Sequence, residues 1–361
     1  MSILSRERNA ESGVFGGRHL KSAIITFVKL LITGLFFVYI FGKVDFHQFA
    51  DTLRGVRPVM LAFALPAIWL AHFACVLRWR ILLRPLMPTP SLARLCGIYC
   101  IGLFFNLTFP TLIGGDIVKI YYAGKPSRSY AGSFASIFLD RDIGMFAMMI
   151  IACGAVSFYP VSIPGVPVSL ILWSVFILFI LGNIAIFTPR FHGFLTRIIR
   201  GNHVASAQRG NLAVRFEKIT SKIDAVAKAF RITGRHPAAL LAALGMSFVN
   251  QLLGCTAAWI IALSLEIRIQ PFYFLIFVPT ATLISMIPIS LNGMGLREYS
   301  FMALFGAIGV AGESCIALGL LYSFIVILSS LPGGVVYIFF RSKSENLNMA
   351  GIENEINPDI L

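Results

Sequence analysis

Three features of this 361-residue chain predict an all-α polytopic membrane protein with about six full transmembrane helices and two opposed re-entrant or broken-helix hairpins. Uncharged apolar runs recur that approach or exceed about 18 residues, long enough to cross a bilayer. Only 13% of the residues are charged and 57% are hydrophobic, with a mean hydropathy of +0.83, whereas soluble domains carry roughly 25% charged residues. The Lys and Arg behind the net charge of +14 lie between the apolar runs and not on one basic face. They therefore report topology, and nucleic acid is excluded as a partner.

The elements follow in order. Residues 1–22 form a cytoplasmic segment carrying Arg6, Arg8, Arg18 and Lys21. The run Ile24 to Phe41 is long for the apolar part of a cleaved signal and lacks a small-residue cleavage site, so it reads as a retained signal anchor. Further spans are expected at Pro58–Leu77, Ala131–Tyr159, Val168–Thr188, Pro237–Leu263 and Ser314–Phe340. The transmembrane domain covers residues 23–341, interrupted by a basic cytoplasmic loop at 189–236, and a cytoplasmic tail occupies 342–361. Within the loop, Leu212, Phe216, Ile219, Ile223, Val226 and Phe230 share one face of a basic amphipathic helix. Such a helix suits either an anionic leaflet or the cytoplasmic ends of its own bundle.

Of the 30 Lys and Arg, 23 lie in the N-terminal segment, the Arg78–Arg94, Lys119–Arg128 and Arg190–Arg235 loops, and the Arg341/Lys343 end. That set is assigned to the cytoplasm, with both termini inside and an inner-membrane location. Leu95 to Tyr122 must then enter and leave from inside, and Pro271 to Gly309 from outside. Their turns align as Pro110-x4-Gly115-x3-Lys119 and Pro288-x4-Gly293-x3-Arg297. Together with opposed orientation, this points to an inverted repeat of the kind that builds alternating-access transporters, the alternative being two kinked helices.

Broken backbone at membrane depth requires a polar lining, so these turns are the candidate substrate-binding site. At the first, Asn106, Gly114 and Gly115 precede a half-helix whose free N–H groups suit an anion. Asp116 is a cap or site residue there, and Lys119 a head-group charge or a topology charge. At the second, Asn292, Gly293, Arg297 and Glu298 repeat the logic, with Arg297 a forked phosphate binder and Glu298 a counter-charge or proton carrier. Successive helical residues diverge, so Arg297 and Glu298 are expected to meet separate partners on other elements. Asp140, Arg141 and Asp142 lie deep in a long span, where ion pairing, proton coupling and head-group binding are all open. Glu313 reads as a helix cap before the last span.

The six cysteines are scattered in apolar segments with no C-x-x-C pair, so neither a disulfide framework nor a metal is expected. P-loop, H-E-x-x-H and G-x-S-x-G motifs are absent, and no loop is large enough for a catalytic domain. The sequence thus predicts neither an enzyme nor a cofactor, and transport would run on an ion gradient or downhill.

The clusters Asn106-x3-Pro110-x3-Gly114-Gly115-Asp116-x2-Lys119, Ala135-Ser-Ile-x2-Asp140-Arg141-x2-Gly144 and Ile287-Pro288-x-Ser290-x-Asn292-Gly293-x-Gly295-x-Arg297-Glu298 carry a family resemblance. Over Lys29 to Arg341 the chain resembles the flippase-like transmembrane region of lysylphosphatidylglycerol synthases and their stand-alone relatives. That pattern commonly has Glu and Arg where this chain has Asp116 and Lys119, and often Glu in place of Asp140. The resemblance implies movement of a phospholipid or other polar lipid between leaflets, with membrane lipids as partners. It does not imply the synthase activity, which belongs to a separate C-terminal domain, and this chain ends about twenty residues after its last span. The alternatives are a membrane partner presenting a lipid to a separate lipid-modifying transferase, and a transporter of small solutes or ions.

Overall fold

A computed structural model describes residues 27–39, 42, 45–108, 114–159, 167–187, 228–229, 231–287, 289–290 and 293–340. The terminal segments, Pro110, Pro288, Asn292 and the amphipathic run, apart from Lys228 and Ala229, lie outside the described residues. The described residues contain helices and no strand.

The apolar anchor run forms α1 (Phe27–Tyr39). Asp45 opens α2 (Phe46–Arg54) by accepting from the His47 N–H at 2.8 Å, and Arg54 sits at the negative end of its dipole. Pro58 starts α3 (Pro58–Leu83) and Pro237 starts α8 (Pro237–Ser264), each at a position where no helical N–H is needed. Between them come α4 (Leu92–Thr108), α5 (Gly114–Gly124), α6 (Tyr130–Phe158) and α7 (Val168–Phe187). After them come α9 (Phe272–Ser285), α10 (Leu296–Gly306) and α11 (Gly312–Ser330), which continues past Pro332 as a span to Phe340.

Five helices, α3, α6, α7, α8 and the α11 span, are long and apolar enough to cross a membrane. The five spans expected from Pro58 onward thus appear nearly where the apolar runs placed them, while the anchor run is described only as the shorter α1. Leu170, Leu178, Leu181 and Ile184 of α7 stay exposed, as a lipid-facing helix requires.

The most extensively packed pair of helices is the antiparallel α3 and α8. At one end the Arg57 N–H donates to the Ser264 carbonyl at 2.9 Å, and the Arg57 side chain pairs with Glu266. Further along, Arg78 reaches Ser247. Buried Ala64 and Ala67 on α3 meet Ala257, Ala258 and Ala262 of α8 in one core cluster. Small residues let helices approach closely where burial in lipid adds no hydrophobic drive.

Two hairpins of short helices enter this bundle from opposite ends. α5 turns back on α4 so closely that a Cβ on Gly115 would collide with the Gly102 carbonyl. Gly115→Ala therefore forces the backbones apart at a cost of about 1–3 kcal/mol, seen as a lower unfolding midpoint of the detergent-solubilised protein. α9 and α10 are zipped by aromatic rings instead, with Phe305 centroids 5.1 Å from Phe274 and 4.9 Å from Phe277. The α4/α5 hairpin opens at the start of α6, whereas α9 begins where α6 ends, with Phe272 stacked on Tyr159 at 3.8 Å. The far end of the α11 span returns to the first hairpin, with Phe340 near Arg94 and Tyr122.

The order long, short, short, long thus occurs twice. Helices α3 to α6 have 26, 17, 11 and 29 residues, and α8 to α11, taken to Phe340, have 28, 14, 11 and 29. The two halves run in opposite directions, which is the geometry of an inverted repeat.

Candidate functional site

Each hairpin tip places an acid in the first turn of its second short helix and ties it to the long helix that follows. Asp116 of α5 accepts from the Arg141 guanidinium of α6, a separation of 25 residues. Glu298 of α10 accepts from the Ser323 hydroxyl of α11 at 2.6 Å, again 25 residues on. Arg141 and Ser323 each lie 11 residues into their helices, about 17 Å from opposite ends of the bundle. This equivalence corrects the repeat register: Asp116 matches Glu298, four residues away from the alignment that pairs Lys119 with Arg297. Pro and Gly misled the alignment because they do different work in the two turns.

At the first tip, Asp116 is buried and shared between two cations, Arg141 and Lys119, the latter at 3.3 Å. Lys119 is buried too, with its ammonium 4.4 Å from the centre of the Tyr99 ring. It is therefore not a surface topology charge. The Gly115 N–H, expected to be offered to a ligand, is taken by the Asn106 amide oxygen at 2.8 Å. Asn106 pins the hairpin here, and Gly114 is the buried first residue of α5.

The three consecutive charges on α6 serve three different neighbours, as their roughly 100° angular steps require. Asp140 takes a forked pair from Arg78 of α3, Nε at 2.6 Å and Nη2 at 2.9 Å, while Nη1 donates to Ser247 of α8 at 3.1 Å. Gly144, one turn on, leaves the space this guanidinium fills: a Cβ there would lie 2.9 Å from Arg78 Nη1. The sequence placed Arg78 among the cytoplasmic loop charges, but it is 6% exposed and inside α3, which runs on to Leu83. An acid deep in one span and an arginine at the end of another were the available signal.

Asp142 belongs to neither tip. It lines an apolar cavity of about 260 Å³ with Asn183, Ile143, Phe146, Phe179 and Leu240. Among the described residues no cation lies within ion-pair distance of it. Asp142→Asn removes a charge that apolar walls disfavour, so stability rises by about 1 kcal/mol. A fall in the unfolding midpoint of that variant would contradict this assignment.

At the second tip, Gly293 and Gly295 take left-handed φ values of 74° and 79°, which suit glycine. Glu298, 1% exposed, accepts from the Gly295 N–H at 2.6 Å as well as from Ser323, so both oxygens hold the turn together. It caps α10 and reaches Arg297 only through the Ser323 that both share. Arg297 Nη1 reaches the same Ser323 at 3.3 Å, so the two neighbours share one partner instead of finding separate ones. Arg297 Nε is buried without a hydrogen-bond partner, and no described carboxylate lies within ion-pair distance. Glu313 lies within the first turn of α11 and makes no side-chain cap, so it acts through the helix dipole instead.

A polar seam runs between the tips. Ser329, six residues beyond Ser323 on α11, is 3.1 Å from His72 of α3, and the His72 ring lies 6.0 Å from Tyr99, over which Lys119 sits. The family described as "Lysylphosphatidylglycerol synthase TM region" matches residues 26–333, which takes in both repeats except the end of the α11 span. The chain belongs to this family. A UPF0104 membrane protein from Methanothermobacter thermautotrophicus (strain Delta H) is 24% identical over 283 residues, covering 73% of this chain and 80% of that relative. Asp116, Lys119 and Arg141 gather at the first hairpin tip and Arg297 and Glu298 at the second, while the Arg78–Asp140 pair and Asp142 stand apart from both.

Proposed function

We propose that this protein moves a phospholipid or related polar lipid between the leaflets of the cell inner membrane. Arg297 carries the reading. Its guanidinium stands at a hairpin tip with a buried Nε that has no partner, and it reaches Glu298 only through the shared Ser323 hydroxyl, with no described carboxylate within ion-pair distance. A cation without a direct counter-charge is costly at membrane depth, and a forked guanidinium matches a phosphate better than any other common anion except a carboxylate.

The first tip offers a second place for the same phosphate, where Lys119 and Arg141 both stand against Asp116. The His72/Ser329 seam supplies polar contacts between the two. Rocking of one four-helix unit against the other would then expose the head group to each leaflet in turn while the acyl chains stay in lipid. In this reading the hairpins are re-entrant from opposite faces, and the basic ends of the spans face the cytoplasm. Membership of a family named for a phospholipid synthase supports a lipid over a small solute.

The test is leaflet exchange of a panel of labelled phospholipids in vesicles holding the purified protein, beside a Lys119→Ala/Arg297→Ala variant. Exchange that the folded variant loses is the expected outcome. Binding of a head group without exchange would instead make the protein a partner that presents lipid to a separate transferase.

A further inference from the structure

A second anion site lies away from the hairpin tips, where the end of α3 meets the start of α8. There a cavity of about 630 Å³ is lined by Arg84, Arg235 and His236, with Ile81, Ala239 and Ala242 among its walls. Arg84 ends α3, and His236 immediately precedes α8 without making a side-chain cap. The cavity therefore combines two guanidiniums and an imidazole with the positive end of the α8 dipole, although Pro237 brings no N–H and the Ala239 N–H donates to the His236 carbonyl. Among the described residues neither Arg84 nor Arg235 pairs with a carboxylate. Arg80, one turn before Arg84 on α3, adds a further charge, and its buried Nε has no partner.

We infer that this cavity binds a phosphate group, carried by a membrane lipid or free in solution. Two forked donors and an imidazole suit a phosphate's several oxygens, and the volume exceeds what a bare ion needs. The walls fit a lipid source well: Ile81, Ala239 and Ala242 offer apolar surface beneath the charges, and the site sits at the end of two membrane-spanning helices. It lies about 9 Å along α3 beyond Arg78, so it is distinct from the buried pair that Arg78 forms. The inference does not depend on the transport reading, because binding alone reads it out.

The test compares the full chain with Arg84→Gln/Arg235→Gln, both solubilised with equimolar phosphatidylglycerol and phosphatidylcholine. Arg54→Gln/Arg268→Gln, which removes the same charge from exposed positions, serves as the control. Mass spectrometry of intact protein counts the lipid that stays bound, and thermal unfolding with added inorganic phosphate reports the free anion. If the source is lipid, wild type and control retain phosphatidylglycerol preferentially, and the site variant loses retention on the order of tenfold. If the source is free, inorganic phosphate raises the unfolding midpoint of wild type and control but not of the site variant. Equal phosphatidylglycerol retention and an equal phosphate response in all three proteins would overturn the inference. Because the exchanged arginines are near the surface, an unchanged midpoint without ligand shows that the variant is folded.

Discussion

Arg78→Ala lowers stability by about 3–5 kcal/mol, the largest single loss expected in the molecule, because it leaves Asp140 buried without a counter-charge. Arg78 contributes three hydrogen bonds that join α3, α6 and α8, so its loss loosens the packing of all three. Asp140→Ala is expected to cost a comparable amount by stranding the guanidinium. The double change Arg78→Met/Asp140→Leu removes both charges together and recovers most of the loss, since a buried pair replaced by apolar side chains of similar volume is often near neutral. Thermal unfolding of the four proteins in one detergent reads out this cycle. A double variant as unstable as the two single variants combined would show that the residues act independently, against the forked geometry.

Arg297→Ala reduces lipid exchange at least on the order of tenfold, the loss of one charge-assisted contact in a dry site, with little change in the unfolding midpoint. The two effects separate because Glu298, not Arg297, holds the α10 turn. Arg297 contributes one bond of 3.3 Å to Ser323, whereas Glu298 makes two of 2.6 Å. Arg297→Lys keeps the charge but not the fork and falls between wild type and Arg297→Ala. Glu298→Gln shows the opposite pattern, lowering the midpoint more than it lowers exchange per folded molecule. Parallel losses of stability and exchange in the Arg297 series would mark Arg297 as a structural residue.

The long helices were legible because a bilayer span leaves a physical trace in one sequence, a run without charge flanked by Lys and Arg. Helix α6 is offset by a single residue at each end from its expected range, and α8 begins at the expected Pro237. The two pairs of short helices were legible as apolar stretches broken by Pro and Gly that do not read as single spans. Helix α3 was cut short at Leu77 because Arg78 looks like a boundary charge until its partner is known. That partner, Asp140, is 62 residues away, and no local pattern links the two.

The candidate site was legible by residue type and much less so by role. Asp116, Lys119 and Arg141 do converge, and Arg297 does stand at the second tip. Asn106, Gly115 and Glu298 instead serve the turns themselves: the amide side chain and the carboxylate each accept from a backbone N–H that otherwise looks available to a ligand. A buried N–H finds an internal acceptor when the chain can supply one, which disfavours empty anion holes. Asp142 stands apart because α6 turns it toward α7, a direction set by packing and not by its neighbours in sequence.

The most direct measurement is the fate of a fluorescent phospholipid, labelled on its head group, in sealed vesicles after an impermeant quencher is added outside. With protein absent, only the outer-leaflet signal is lost. With wild-type protein, the account predicts that the inner-leaflet signal is lost as well, and that Arg297→Ala vesicles holding the same amount of folded protein behave like empty ones. Retention of the inner-leaflet signal with folded wild-type protein, across anionic and zwitterionic head groups, would contradict transbilayer lipid movement by this chain.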